Sequence, residues 1–436
     1  MQASQASADT PAQPLRRRSL WRTLLLFFAV LGPGFVTASA GNDVGGIATY
    51  SSAGAQFGYD ILWLMIPLAV ALVVVQEMSA RMGCVTGKGL AALIRKGFGV
   101  RISVFAMLVL FLINTLITST EFAGIAAASE HFGISRYIGV PLALVAVFLF
   151  VLRFNSKIVE RVFVIFSLIY LSYIVSAVLA HPDWHQVVTG TFIPHFEFRE
   201  AGWLAMVVTV IGTTISPYMQ FFLQSQVVEK GSRTEDLTFT RIDVTNGSIL
   251  AIALAGFMII ANAATIFIAN QHGAKLNPQT AMDFAVALKP LAGDAAALIF
   301  ALGILNAGLF TATVLPLSTS YIVCEALGFE AAIDRRFSEA PVFFMLFAAG
   351  LLLGAGFVLI PNLPLLQFIL FAQLLQGVLL PFELVLMLII INRKSVMGPH
   401  TNGPLANGIA WTTAIVIGVL SLVYVVGQFI PQLLGA

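Results

Sequence analysis

The sequence predicts an all-α polytopic membrane protein, and three observations support this class. The chain has 436 residues, of which 58% are hydrophobic and only 10% are charged, whereas a soluble globular domain carries about 25% charged residues. Several apolar runs reach the roughly 20 residues that a helix needs to cross the hydrocarbon of a bilayer. These runs are continuous and do not alternate between apolar and polar residues, which favours helices over a membrane β-barrel.

Eleven apolar segments are candidate membrane spans. The first, sixth and eighth are too long for one straight crossing, so we expect breaks or extensions in them. The predicted spans lie near residues 23–53, 59–82, 102–129, 137–153, 160–180, 200–227, 242–269, 284–325, 339–360, 363–392 and 405–430. Residues 1–20 are polar and are predicted to form a disordered cytoplasmic tail.

The basic residues predict the orientation of these spans, because cytoplasmic loops are enriched in Lys and Arg. With eleven spans, 19 of the 23 Lys and Arg residues fall on one side of the membrane. The exceptions are Arg136, Arg199, Lys275 and Lys289. We therefore predict a multi-pass protein of the inner (cell) membrane, with the N-terminus in the cytoplasm and the C-terminus outside.

The first span contains an acid at its centre, in the stretch TASAGNDVGGIATY at residues 37–50. Asp43 is surrounded by Gly41, Gly45 and Gly46, and glycine lowers the cost of leaving helical dihedral angles. An unwound backbone is tolerated in a membrane only beside a cavity or within protein. The stretch therefore predicts an oxygen-rich cation site at Asp43. The alternative is a glycine-lined packing seam around a buried, protonated aspartate.

The sixth span is interrupted as well, in VVTVIGTTISPYMQFFLQSQ at residues 207–226. Pro217 removes a backbone donor and clashes with the preceding turn. Interruptions at corresponding places in two halves of a chain are the best sequence indication of a transporter binding site. We predict two inverted five-helix repeats, at 21–181 and 200–394. An external loop at 182–199 separates them, and an eleventh helix at 395–436 follows.

Several motifs then resemble one family, the Nramp divalent-metal transporters, over residues 30 to 395. The resemblance is carried by GPGF at 32–35 with Asp43 after it, QEMSARMGCVTGKGL at 76–90, SPY at 216–218, AQLLQGVLLPFELVLM at 372–387, and Asn262 in ANAA. It implies the LeuT-like fold and alternating access, and it implies that Gln373 contributes to a metal site in the tenth span.

The departures from the family pattern are as informative as the matches. The DPGN motif of the first helix is DVGG here, so Gly46 replaces a metal-binding asparagine. MPH of the sixth helix is SPY, so Ser216 replaces the sulfur ligand and Tyr218 replaces the histidine. Of two acids in the third helix, Glu121 remains and Gly124 replaces the other. This pattern resembles the Nramp-related magnesium transporter branch.

These residues predict a hard, all-oxygen ion site. Thioether sulfur favours transition metals, whereas Mg²⁺ takes oxygen ligands and retains several waters. The expected substrate is Mg²⁺ and also Mn²⁺, with no cofactor and no nucleic-acid partner; membrane lipids surround the protein, and the oligomeric state is open. The predicted metal-site residues are Asp43, Gly46, Thr213, Ser216 and Gln373. The predicted gating or coupling residues are Gly45, Pro217, Tyr218, Glu121 and Asn262.

The coupling and the substrate leave alternatives open. No histidine falls inside a predicted span, and histidine is the side chain that titrates near physiological pH, so we expect import without proton coupling. A proton-coupled Mn²⁺ or Fe²⁺ symporter using Asp43 and Glu121 is one alternative. A carrier of a small organic substrate is another, and a channel is a third. An enzyme is not expected, because neither HExxH nor GxSxG occurs. The outer loop offers a further metal candidate at His181, Asp183, His185, His195 and Glu197.

Overall fold

The computed structural model describes residues 42–153, 167–196, 201–329 and 338–430, and all regular structure within these ranges is helical. Several predictions fall outside the described residues. They are the tail at 1–20, the first part of span one with Gly41 and GPGF at 32–35, and part of span five.

The first half of the described chain contains seven α-helices. A short 3₁₀ turn at Leu62–Leu64 leads into the second, and another at Ser167–Tyr170 leads into the sixth. The helices are α1 (Val44–Phe57), α2 (Met65–Thr86), α3 (Leu90–Phe98), α4 (Val100–His131), α5 (Arg136–Arg153), α6 (Leu171–Leu179) and α7 (Trp184–Phe192).

The second half contains ten more α-helices, some of them single turns. 3₁₀ turns at Thr234–Asp236, Ala281–Leu288, Gly293–Ala295 and Gly398–His400 and a π-helical turn at Ala263–Phe267 connect them. The helices are α8 (Ala201–Thr214), α9 (Pro217–Glu229), α10 (Leu237–Asn262), α11 (Ile268–Gln271), α12 (Lys289–Ala292), α13 (Ala296–Leu327), α14 (Pro341–Val358), α15 (Leu365–Ile391), α16 (Lys394–Met397) and α17 (Pro404–Phe429).

Eight helical segments of the described chain are long and apolar enough to cross a membrane. They are Leu62–Thr86, Val100–His131, Gly202–Glu229, Thr234–Gln271, Ala281–Leu327, Pro341–Val358, Leu365–Ile391 and Pro404–Phe429. A shorter apolar helix, Arg136–Val151, corresponds to the predicted fourth span. Spans one and five lie partly outside the described residues. The all-helical membrane class is confirmed, and the number eleven stays a prediction.

Helix α1 is enclosed by other helices of the described chain. Every residue from Val44 to Ala55 is buried, including the hydroxyl side chains of Thr49, Ser51 and Ser52. It packs against α4, α8, α10 and α15. A helix that is enclosed on all sides and still carries polar side chains needs partners for them inside the protein. This polar centre is where the candidate site lies.

The external segment 182–199 was predicted as a loop, but the structure forms helix α7 within it. Asp183 caps this helix, and its side chain accepts hydrogen bonds from the backbone N–H groups of His185 at 2.9 Å and Gln186 at 3.3 Å. These two hydrogen bonds lower the pKa of Asp183, and the bond from the backbone N–H of Gln186 has the larger effect. Glu197 lies outside the described residues. Within them, no group of three or more His, Cys, Asp or Glu side chains is arranged to hold a metal ion.

Candidate metal-ion site

The interruption predicted at Pro217 is present between α8 and α9. Helix α8 ends at Thr214, Ser216 has an extended backbone, and Pro217 is the first residue of α9. Proline is favoured at this first helical position, because its missing N–H has no intrahelical acceptor there. The hydroxyl of Ser216 donates to the carbonyl oxygens of Thr213 at 3.0 Å and Gly212 at 3.2 Å. The hydroxyl therefore satisfies carbonyls that the end of α8 leaves free, while its oxygen can still accept.

Two acids meet at the N-terminus of α1. Asp43 is the N-cap residue, and its Oδ1 accepts from the backbone N–H of Gly46 at 2.6 Å. Oε2 of Glu121, on α4, accepts from the N–H of Val44 at 3.2 Å. Both side chains are buried, with relative exposures of 2% and 0%. The free N–H groups and the partial positive charge of a helix N-terminus favour carboxylates at this position.

The side chain of Gln373, on α15, lies against the first turn of α1. A Cβ atom placed on Gly45 would collide with the Gln373 amide and would lie 3.2 Å from Oδ1 of Asp43. The amide and the carboxylate therefore approach Gly45 together. This close approach requires glycine, because any side chain at position 45 would displace the amide. The predicted residues Asp43, Gly45 and Gln373 are thus brought together by two helices that are distant in sequence.

Helix α8 completes the same region. Gly212 packs directly on the backbone of α15, where a Cβ atom would lie 2.5 Å from the carbonyl oxygen of Gln373. The hydroxyls of Tyr50 and Thr214 are 2.9 Å apart and join α1 to α8. Thr213 lies between these two residues in the sequence, and its side chain is buried, with 1% relative exposure.

Two predicted ligands in this region have unpaired polar atoms. Oγ1 of Thr213 and both amide atoms of Gln373 are buried, and they have no hydrogen-bond partner among the described residues. Buried polar atoms are nearly always paired with protein or ordered water. The unpaired oxygens of Thr213 and Gln373 are available to a bound cation. The donor set consists of carboxylate, hydroxyl and amide oxygens, which suit hard cations such as Mg²⁺ and Mn²⁺.

Two other predicted residues, Gly46 and Tyr218, have roles in capping and packing in this structure. The N–H of Gly46 is used by Asp43. Tyr218 is fully buried and packs with Ile113, Leu315 and Ala372. Ala372 directly precedes Gln373 on α15, so Tyr218 contacts the residue next to a predicted ligand. These placements leave the ligand roles of Gly46 and Ser216 as predictions.

Asn262 is linked to the centre of α1. Its Nδ2 donates to Oγ of Ser51 at 3.0 Å and to the carbonyl of Met258 at 2.9 Å, whereas its Oδ1 is buried without a partner among the described residues. Sequence reasoning selected Asn262 but missed the π-helical turn that begins at the next residue, Ala263. Such turns within α-helices frequently occur at functional sites.

Gly124, which replaces the second acid of the third helix, faces Val44. A Cβ atom on Gly124 would lie 2.5 Å from both Cγ atoms of Val44, which is closer than packed side chains tolerate. Val44 therefore fills the space that a side chain at position 124 would need. Val44, the residue that follows Asp43, therefore leaves no room for an acidic side chain at position 124.

Hydrogen bonds join neighbouring helices at the face that carries most of the basic residues. Nε2 of Gln224, on α9, donates to the carbonyl of Lys88 at 2.8 Å, and the N–H of Gly89 donates to Oε1 of Glu325 at 2.8 Å. Oγ of Ser79, on α2, donates to the carbonyl of Gln220 at 2.5 Å. These bonds hold α9 and α13 against α2 and the segment that follows it, so α9 is held in place on this side of Pro217.

A polytopic chain with an acid-capped helix and a second, interrupted helix around buried unpaired oxygens has the architecture of a secondary transporter. A family model described as natural resistance-associated macrophage protein-like, Nramp, matches residues 34–427. The chain therefore belongs to the Nramp family. It is a membrane transporter of the LeuT-like fold and not an enzyme.

Individual relatives agree with this assignment. The chain is 33% identical over 316 residues to the divalent metal cation transporter MntH of Yersinia pestis, covering 71% of this chain and 73% of the relative. It is 29% identical over 411 residues to MntH of Klebsiella pneumoniae, covering 92% and 95%. The solved structure of the Eremococcus coleocola manganese transporter matches with a TM-score of 0.71 and 21% identity, over 97% of this chain and 90% of that chain. This last likeness supports the fold.

Proposed function

We propose that the chain imports divalent metal ions by alternating access, with Mg²⁺ as the preferred substrate and Mn²⁺ also carried. The observation that supports this most strongly is the Asp43 carboxylate next to the unpaired amide of Gln373 at Gly45. Thr213, whose buried hydroxyl is also unpaired, lies in α8 between Gly212, which packs on α15, and Thr214, which bonds to Tyr50 on α1. A single acid with neutral oxygens suits Mg²⁺, which keeps several waters and is usually bound through one or two carboxylates.

The relatives named above are divalent-metal or manganese transporters, which supports a divalent cation as the substrate class. The preference for Mg²⁺ rests on the replacement of a sulfur ligand by Ser216 and of a histidine by Tyr218. Sulfur ligands favour transition metals over Mg²⁺. Without a sulfur ligand, softer ions lose their advantage over Mg²⁺. Gly46 and Ser216 are also smaller than the asparagine and methionine of the family pattern, which leaves more room for a hydrated ion.

We propose that transport is driven by the membrane potential and the ion gradient without proton coupling. All six histidines lie in the described chain, at helix ends or in connecting segments, and five of them are exposed. None is positioned to relay protons through the centre. Moving two positive charges through 100 mV releases about 4.6 kcal/mol, which corresponds to a concentration ratio of roughly a thousandfold or more. Because the membrane potential is negative inside the cell, it drives cations towards the cytoplasm, and the protein is therefore an importer.

A second candidate function is a proton-coupled Mn²⁺ or Fe²⁺ symporter. Glu121 favours it, because this buried acid binds the N–H of Val44, directly next to Asp43. Two acids at one helix N-terminus could exchange a proton for the arriving metal ion. The two functions differ in one measurable quantity, the flux of protons that accompanies the metal ion.

The test uses purified protein in vesicles that contain a metal-sensitive dye and a pH-sensitive dye. The Asp43→Asn variant removes the charge and keeps a good N-cap, and Asp60→Asn, on an exposed residue, is the matched control. We expect Mg²⁺ and Mn²⁺ uptake by the parent protein and the control without acidification, and a loss of uptake in Asp43→Asn. Undiminished uptake in Asp43→Asn would contradict the site, and metal-dependent acidification would favour the symporter. Inhibition of Mg²⁺ uptake by small amines would favour the organic-substrate alternative.

A further inference from the structure

A small cavity lies between α3, α4, α9 and α15, apart from the candidate ion site. Its volume is about 30 Å³, and apolar side chains such as Ile94, Leu110 and Phe221 form most of its wall. A cavity needs about 10–15 Å³ to hold one water molecule, so this one has room for about two. Among the residues that line it, Glu383 is the one that carries an ionisable side chain.

Glu383 has no partner for its carboxyl group. The residue is 6% exposed, and neither Oε1 nor Oε2 has a hydrogen-bond partner among the described residues. An ionised carboxylate has only acceptor oxygens, and burying it without a donor is far less favourable than burying the neutral acid. A divalent ion would find one carboxyl and an apolar wall, which does not replace its hydration shell. The chemistry of this cavity suits a proton.

Charged groups on the neighbouring helices do not supply a partner. None of the other charged or titratable residues on the four helices lines the cavity. These residues are Arg95 and Lys96 on α3, Arg101, Glu121, Glu130 and His131 on α4, and Tyr218 and Glu229 on α9. Arg393, just beyond α15, instead donates to the carbonyl of Gly97 at 2.8 Å and lies over the ring of Phe98.

The position of the cavity connects Glu383 to the helix interruption. Pro217, the first residue of α9, lines the same cavity, and so does Ile94, from the segment between Lys88 and Arg101 on the basic face. Phe221, one turn further along α9, also contributes to the wall. A movement of α9 about Pro217 would therefore widen the cavity and admit water to Glu383 from the basic, cytoplasmic face.

We propose that Glu383 is a proton-binding site that is protonated while α9 is packed against α4 and α15, and that releases its proton to the cytosol when α9 moves. The O–H bond of the carboxylic acid breaks, the proton passes to a water molecule to give hydronium, and a hydrated carboxylate remains. The proton binds and leaves on the same side, so no net proton transport results. Cytosolic acid then favours the closed arrangement and slows transport. The inference rests on the proposed function in one respect, the movement of α9.

The protonated carboxyl is tested by infrared spectroscopy of the full chain in lipid vesicles at neutral pH. We expect the difference between the parent protein and Glu383→Gln to show the loss of a carbonyl band of a protonated carboxylic acid. Glu130→Gln is the control, because Glu130 is exposed and paired with Arg136, and it should retain the band. If Glu383→Gln does not fold, Glu383→Asp should shift the band. A spectrum in which neither variant changes the band overturns the proposal.

The regulatory role is tested by metal uptake as a function of pH at the cytoplasmic face. We expect the uptake rate of the parent protein to fall on acidification by up to about tenfold per pH unit, the limit for one proton. Glu383→Gln should remove this dependence, and Glu130→Gln should keep it. An unchanged pH dependence in Glu383→Gln contradicts the role. The infrared result needs no transport, so it separates failure of this inference from failure of the proposed function.

Discussion

Replacing Gln373 with leucine should stabilise the protein and impair it as a transporter at the same time. Both amide atoms of Gln373 are buried without partners among the described residues. A buried polar group without a partner costs about 1–3 kcal/mol of desolvation, and leucine removes that cost with little change in volume. We therefore expect Gln373→Leu to raise the free energy of unfolding by about 1–3 kcal/mol. Thermal unfolding of the purified protein without added metal measures this change.

The same substitution should weaken ion binding. Hydrogen bonds and similar contacts to charged groups contribute about 1.5–3 kcal/mol. At about 1.4 kcal/mol for each factor of ten, losing the amide oxygen predicts a roughly 10- to 150-fold higher KM for Mg²⁺ and Mn²⁺ uptake. The affinity for metal should fall by the same factor in Gln373→Leu, so added metal should stabilise this variant less than it stabilises the parent protein. Vesicle uptake and unfolding with added metal measure these two effects independently.

A partnered amide at the C-terminal end of the same helix is the matched control. Asn392 follows the last residue of α15, its Nδ2 donates to Leu388 at 2.9 Å, and it exchanges two 2.8 Å hydrogen bonds with Asn407. Asn392→Ala should therefore lose about 1 kcal/mol or more of stability and keep the parent KM. The reasoning is refuted if Gln373→Leu behaves like this control, with lower stability and an unchanged KM, because the amide would then be structural.

Three further predictions concern the region around Asp43. Gly46→Asn combined with Ser216→Met restores an amide and a sulfur ligand, and uptake competition should shift towards Mn²⁺ or Cd²⁺ relative to Mg²⁺ because sulfur is a soft ligand; an unchanged preference would remove both positions from the site. Gly124→Ala should cost about 1–3 kcal/mol by overpacking against Val44, and Val44→Ala should recover part of that loss in thermal unfolding; strictly additive effects would contradict the packing argument. Tyr50→Phe removes the hydroxyl bond that joins α1 to α8 and should lower stability by about 1 kcal/mol, measured the same way; unchanged stability would show that this bond contributes nothing.

The helix interruption at Pro217 could be predicted because its cause is local. Pro217 cannot continue an α-helix without losing a hydrogen bond, and the structure starts α9 at that residue. The break predicted in span one stays a prediction, because the residues before position 42 lie outside the described chain; the structure starts α1 immediately after Asp43, a residue type favoured as an N-cap. The membrane class followed from the composition and from the length and continuity of the apolar runs. Each of these predictions depends on a few neighbouring residues or on the average of the chain.

The contacts that form the site could not be predicted in the same way, because they join residues far apart in sequence. The bond between Val44 and Glu121 spans 77 residues, and nothing local indicates which N–H an acid on α4 will reach. The approach of Gln373 to Gly45 depends on how α1, α8 and α15 pack. Resemblance to a family selected Gln373, whereas the π-helical turn after Asn262 had no signal in the sequence. Helix α7 was missed because a polar, histidine-containing segment is equally typical of a loop.

We propose that a hard divalent cation binds between Asp43, Thr213 and Gln373. The most direct measurement is an experimental structure of the full chain with Mn²⁺, in which anomalous scattering locates the ion. We expect an anomalous peak at the junction of α1, α8 and α15, in contact with the Asp43 carboxylate directly or through one water, and no such peak in Asp43→Asn. A bound Mn²⁺ ion elsewhere in the molecule, with this junction empty, would contradict it.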